Sequence, residues 1–268
     1  MEQNMRIFVI RSRGVLAAAA AVLAVCLVIR AGYGTARQAV SAAAPKRDLP
    51  IYCVGTDERK ASLTFDAAWG NEDTQDLIDI LGQYNIKATF FVVGDWAEKY
   101  PESVKQLSDA GHEVMNHSDT HPHLTELSRE EIAAQITACD EKIEAITGKK
   151  PFLTRPPYGD YNDKVVSTLR ELGHYTIQWD VDSLDWKDLS AKDIYDRVTK
   201  KTCSGSIILF HNAAKNTPQA LPMIIEYLQS EGFELVPVSE LIYTDSFEID
   251  HEGRQIKAAA PEKTAPAA

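Results

Sequence analysis

Between Ile51 and Tyr243 short apolar or β-branched runs alternate with stretches of helical periodicity. The runs at 61–65, 88–93, 113–116, 151–155, 175–180, 206–210 and 233–238 read as strands. Helical patterns fill the gaps at 74–84, 101–110, 128–147, 163–172, 191–200 and 218–229. Ser128 and Glu131 have the spacing of a capping box, and Gly148 and Gly173 stand where helices should stop. Alternation of this kind predicts an α/β fold, a parallel sheet with helices packed outside it. Seven strands suggest a barrel one strand short of the usual eight. A doubly wound sheet has the same alternation and stays open as the alternative.

The flanks break the pattern. Arg6, Arg11 and Arg13 precede an unbroken apolar run at 14–29, and Arg30 closes it. At 1.5 Å per residue the run spans about 24 Å, short of the roughly 30 Å hydrocarbon core, a gap that snorkelling arginines and a thinned bilayer can close. Residues 1–30 therefore read as an N-terminal signal anchor, since no good cleavage site follows the run. The basic flank stays inside and places the rest of the chain outside the cytoplasm, or secretes it if the segment is cut. Residues 31–50 are Ala-rich and aperiodic, a linker. Residues 51–245 form the folded domain, and 246–268 look like a disordered tail. The formal net charge of −11 repels phosphate backbones and argues against nucleic acid as a partner. Cys53, Cys139 and Cys203 show no C-x-x-C spacing, so neither a zinc cluster nor a disulfide framework is expected.

Most strand-like runs end in a reactive side chain. Leu63-Thr64-Phe65 ends in Asp66, Val114-Met115-Asn116 in His117, Phe152-Leu153-Thr154 in Arg155, and Ile207 to Phe210 in His211. Ile177-Gln178-Trp179 leads to Asp180 and Asp182. In a parallel barrel these ends share one mouth, where such folds place their active sites. His117 and His121 are four apart, so a helical turn would point both imidazoles at one metal ion. Arg155-Pro156-Pro157-Tyr158-Gly159 is a rigid turn. Asp182-Ser183-Leu184-Asp185-Trp186 offers two carboxylates and an aromatic wall.

Taken in order, these segments resemble the polysaccharide deacetylase family, the NodB-homology domain of carbohydrate esterase family 4. The residues that carry the resemblance are Thr64-Phe65-Asp66, His117-Ser118-x-x-His121, Arg155-Pro156-Pro157-Tyr158, Asp182-x-x-Asp185-Trp186 and Leu209-x-His211. The N-terminal anchor and Phe65-Asp66-Ala67-Ala68-Trp69-Gly70 look like its sporulation-associated branch. The resemblance implies a distorted (β/α) barrel that hydrolyses N-acetyl groups of a glycan, here cell-wall peptidoglycan. It makes Asp66 the general base, kept ionised by Arg155, and His117 and His121 ligands of a divalent metal such as zinc. It makes His211 the acid, oriented by Asp182. The backbone N–H of Tyr158 would hold the oxyanion, and Trp186 and Leu209 would wall the acetyl pocket.

One position departs from the family. Where most members carry a second aspartate that completes the metal site, this chain has Ala67. Glu72 or Asp73 could reach back to replace it, although helix-start charge is the plainer role for both. Asp66 could also move onto the metal. The alternative function is a catalytically weak or inactive glycan-binding protein.

Overall fold

The computed structural model describes residues 47–258. The signal anchor, almost all of the linker and the last residues of the tail lie outside the described residues. Among those described, no helix is long and apolar enough to cross a membrane.

The strands in chain order are β1 (Cys53–Val54), β2 (Lys60–Ala67), β3 (Thr89–Val92), β4 (Glu113–Asn116), β5 (Leu153–Thr154), β6 (Tyr175–Thr176), β7 (Val181–Asp182), β8 (Ser206–His211), β9 (Glu234–Leu235), β10 (Phe247–Ile249) and β11 (Arg254–Lys257). The α-helices are α1 (Thr74–Gln83), α2 (Gly94–Lys99), α3 (Pro101–Asp109), α4 (Arg129–Thr147), α5 (Asp163–Glu171), α6 (Ala191–Lys201), α7 (Thr217–Ser230) and α8 (Val238–Leu241). Every strand and helix expected from the periodicity is present. The ends of α4 are the expected ones, the Ser128–Glu131 capping box and Gly148 at a left-handed φ of 69°.

The pairing order β8-β2-β3-β4-β5-β6 is parallel throughout, with β7 added beside β8 and β9 beside β2. A parallel bridge between Ile51 and Ile177 ties the β6 end back to the segment entering β1, so the sheet curls toward a barrel. Neighbours on one strand fall into two separate apolar layers, as a pleat requires. Leu63, Phe65, Phe90, Ile208 and Phe210 pack outward with Leu77, Leu81 and Ile224 of the helices. Phe91, Met115 and Ile207 pack inward with Ile51, Leu153 and Ile177. Val238 and Leu241 of α8 join that inner layer, and the Val238 N–H donates to Thr89 Oγ1 at the start of β3. The end of the barrel opposite the mouth is thereby plugged.

The tail departs from expectation. Residues 247–257 form an antiparallel hairpin whose β11 pairs with β1, Cys53 opposite Arg254. The domain therefore runs past 245. The segment is polar because it covers a sheet edge: only Gln255 is fully buried as a polar side chain, exchanging hydrogen bonds with the Tyr243 backbone. An edge hairpin needs backbone pairing more than an apolar face. Cys53 and Cys139 are buried free thiols, and Cys203 is an exposed one.

Candidate active site

Asp66 leaves the end of β2 and His211 the end of β8, and the two are direct partners in the parallel register. Asp66 is buried. Its Oδ1 accepts from Arg155 Nη1 at 2.7 Å, and its Oδ2 lies 3.5 Å from His117 Nε2. Arg155 is completely buried, its guanidinium 4.1 Å from the Phe91 ring centroid, with Nη2 donating to the Gln178 carbonyl. Burial alone would push the Asp66 carboxyl up, but the charge of Arg155, with His117 and His211, holds it below the usual carboxylate range.

His117 is anchored through Nδ1 to the Arg155 carbonyl at 2.7 Å, an arrangement in which Nδ1–H donates and Nε2 is left as the lone pair facing the pocket. Burial lowers its pKa, and burial beside His117 pushes His121 down to about 4. Burial thus disfavours the protonated form of both rings. Their ring centroids are 5.0 Å apart. The sequence spacing suggested a helical turn, but the segment is a bent loop with Ser118 and His121 at positive φ. Asn116 Oδ1 accepts from the Ser118 N–H, Ser118 Oγ from the His121 N–H, and Gln135 Oε1 from Asp119 and Thr120. These side-chain acceptors stand in for helical bonds and bring the rings together by another route. Asn116 is held in turn by Asp140, whose other oxygen meets His174.

His211 Nδ1–H donates to Asp185 Oδ1 at 2.8 Å, and its backbone N–H donates to Asp185 Oδ2. Thr217 Oγ1 and the Trp186 N–H also donate to this buried carboxylate. The expected partner was Asp182. Its Oδ1 instead accepts from the Leu184 N–H, turning the chain so that Asp185 faces His211. Asp182 still lines the pocket. Burial lowers the His211 pKa, but hydrogen bonding and charge from Asp185 outweigh it and the net direction is up.

These groups open on a cavity of about 690 Å³ lined also by Leu209, Trp179 and Asp188. Three exposed aromatics ring it: Trp69 (58% exposed), Tyr158 (60%) and Trp186 (57%). Tyr158 sits at φ 61° with its ring stacked on His123 at 4.2 Å and edge-on to His121 at 4.5 Å. Trp69 lies between the two histidines, 5.9 Å from His121 and 6.4 Å from His211 by ring centroids. Trp69 carries no polar signal of its own, and only its place just past Asp66 could have singled it out. Asn212, equally unflagged, ties the exits of β2 and β8: its N–H donates to the Asp66 carbonyl, its Oδ1 accepts from Ala68, and its Nδ2 reaches the Gly70 carbonyl.

The donor set does not complete a three-ligand metal site. Ala67 belongs to the outer apolar layer. Asp73 is turned away to accept from the Ala213 N–H, and neither it nor Glu72 lines the cavity. Asp66 Oδ1 is engaged by Arg155 and Oδ2 lies against His117. Among the described residues no group of three His, Cys, Asp or Glu side chains is arranged to hold a metal ion. Zinc titrated into the full chain is expected to bind one-to-one, more weakly than at three protein ligands, and His117→Ala should abolish it. Nanomolar binding by isothermal calorimetry would mean that another donor completes the shell.

A buried carboxylate and a carboxylate-bound imidazole facing one cleft at the mouth of a curled α/β barrel, beside paired imidazoles, are the arrangement of the barrel-deacetylase class. The chain belongs to the polysaccharide deacetylase family, whose profile matches residues 54–177. It is 39% identical over 188 residues to the peptidoglycan-N-acetylmuramic acid deacetylase PdaC of Bacillus subtilis, covering 70% of this chain and 40% of that protein. It is 34% identical over 192 residues to a peptidoglycan-N-acetylglucosamine deacetylase of Bacillus cereus, covering 70% of each. A solved carbohydrate esterase family 4 pseudoenzyme from Bacillus anthracis superposes with a TM-score of 0.70 at 36% identity, covering 72% of this chain and 69% of that one. The first of these relatives is thus matched over well under half its length.

Proposed function

We propose that this chain removes N-acetyl groups from the glycan strands of peptidoglycan by hydrolysis. The observation that carries the reading is the register pair Asp66 and His211, an ionised carboxylate and a cation-favoured imidazole facing one cavity from adjacent strands. Asp66 takes a proton from the attacking water as its oxygen bonds to the acetyl carbon. The carbonyl oxygen becomes an oxyanion and meets the backbone N–H of Tyr158. His211 then donates its proton to the nitrogen as the C–N bond breaks, leaving acetate and a free amine. Asp185 keeps the imidazole charged and aimed. Leu209 and Trp186 wall the space for the acetyl methyl. A divalent cation, zinc by the affinity of imidazole donors, would be held at His117 and His121, where it would polarise the carbonyl oxygen.

The reading extends to the cell. Residues 1–30 would anchor the chain in the membrane with the catalytic domain outside, in the setting of spore formation suggested by the sequence around Ala67. A second reading, a glycan binder with little turnover, is favoured by Ala67 and by the likeness to a pseudoenzyme.

The test is release of acetate from N-acetylated peptidoglycan by the full chain with zinc supplied. His211→Ala should lower it at least about a hundredfold. Glycan binding with no acetate released, whatever the metal, would leave the second reading in place.

A further inference from the structure

Ser206 opens β8 at the end of the barrel away from the mouth, and two cysteines meet it there. β1 pairs antiparallel with β8, Cys53 opposite Ser206. Opposed residues of an antiparallel pair project to the same face, with Cβ atoms about 5 Å apart. That face is the outer one, since the next residues, Val54 and Ile207, belong to the inner layer. Cys203 reaches the same serine through a turn. Its carbonyl accepts from the Ser206 N–H at 3.1 Å, its N–H donates to Ser206 Oγ at 3.0 Å, and its Sγ lies 3.5 Å from that oxygen. Gly205 in this turn packs so tightly on β1 that a Cβ there would fall 1.7 Å from the Val54 carbonyl oxygen. The Val54 N–H also donates to the Gly205 carbonyl, at 2.9 Å. Turn and strand are thereby held against each other, with Ser206 flanked by both cysteines. Both thiols are free in this structure.

From this arrangement we propose that Cys53 and Cys203 are a disulfide-forming pair, oxidised by a small disulfide such as oxidised glutathione into a clasp between β1 and the entry to β8. The inference does not depend on the deacetylase reading. Cys203 is exposed and opens on a cavity of about 280 Å³ beside Thr202, Tyr227 and Phe233, so it is the sulfur that an outside oxidant meets first. Its thiolate attacks one sulfur of the small disulfide, and the other sulfur leaves as a thiolate and takes up a proton. Cys53 is buried, and burial with the charge of Asp180 pushes its thiol up to about 11. It therefore acts second. It gives up its proton as its Sγ attacks Cys203 Sγ, and that proton goes to the second departing thiolate. Two cysteine thiols are oxidised to one disulfide, and one small disulfide is reduced to two thiols. Cys139 has no such partner sulfur: it is buried in α4 and its thiol donates to the Val92 carbonyl. The bond would close a loop of about 150 residues, and a cross-link over a long loop restricts the unfolded chain most.

The test is mass spectrometry on the folded full chain after incubation with oxidised glutathione at mildly alkaline pH, alkylation without reduction, and digestion. A peptide pair joining Cys53 to Cys203 should appear, with Cys139 alkylated. In Cys53→Ala, Cys203 should instead retain glutathione, the mixed disulfide that the unmutated chain resolves. The urea midpoint of the oxidised chain should lie about 1 M above that of the reduced chain, and Cys53→Ala should show no comparable difference. Cys53 and Cys203 both left alkylated would overturn the inference. So would glutathione retained on Cys203 while Cys53 is present, or Cys203 joined to a second chain or to another cysteine. A midpoint that reduction does not move would overturn the clasp.

Discussion

Asp66→Asn is expected to lower acetate release about a thousandfold and to weaken the fold in the same step. The kinetic loss follows because an amide cannot take the proton of the attacking water. The structural loss follows from Arg155. Its guanidinium is completely buried, and Asp66 is the one carboxylate that pairs with it among the described residues. Removing one partner of a buried pair leaves a charge without compensation, at a cost of about 3 kcal/mol where the replacement keeps one oxygen to accept the bond. The Phe91 face and the Gln178 carbonyl soften that cost and do not cancel it. Urea unfolding of the variant beside the unmutated chain reads the stability term, and acetate release at saturating glycan reads the kinetic one. An unchanged rate would remove Asp66 from the role of base. An unchanged midpoint would mean that water reaches Arg155.

Asp185→Asn should lower turnover by about a hundred- to a thousandfold, whereas Asp182→Asn should cost less than about tenfold. Of the two aspartates only Asp185 is hydrogen-bonded to the imidazole, and an amide in its place can donate to Nδ1 and favour the wrong tautomer. The pH profile gives a second reading of the same change. The acid must be protonated. Because the net environment raises the His211 pKa above its ordinary value, the active form is present at lower pH and is lost as pH climbs through that raised value. Asp66 titrates below the usual carboxylate range, so its ionised form is in place well before neutrality. The alkaline limb of turnover therefore belongs to His211. In Asp185→Asn it should move to lower pH, and in Asp182→Asn much less. A limb that stays in place in both variants would detach it from His211.

The sequence makes the barrel legible because each strand is either a dense apolar run or an alternating one, and both patterns survive without tertiary knowledge. Two-residue strands are legible where a longer apolar run surrounds them, as at β5, β6 and β9, and not where none does. β1 and β7 are recognised only by what they pair with, and β11 is polar because it closes an edge. The site reads well where chemistry coincides with a strand end, as at Asp66, His117, Arg155 and His211. It reads less well inside a loop. Asp182 and Asp185 are the same residue type three positions apart, and which of them meets His211 is decided by a left-handed Leu184, whose N–H bonds back to Asp182. No propensity signals that turn. The convergence of His117 and His121 was anticipated for a helix and is reached by a loop, since Asn116 and Gln135 supply acceptors from positions that look unremarkable in the sequence.

The hairpin at residues 247–257 also bears on the order in which the chain can become native. β1 is held on one side by β8 and on the other by β11, so one of the earliest strands to leave the ribosome is among the last to be fully bonded. Contacts that join distant parts of a chain form slowly, because the intervening loop must be closed before they contribute. Until residues 247–257 have been synthesised this barrel would keep an open edge, a state in which strands can pair with the wrong neighbour.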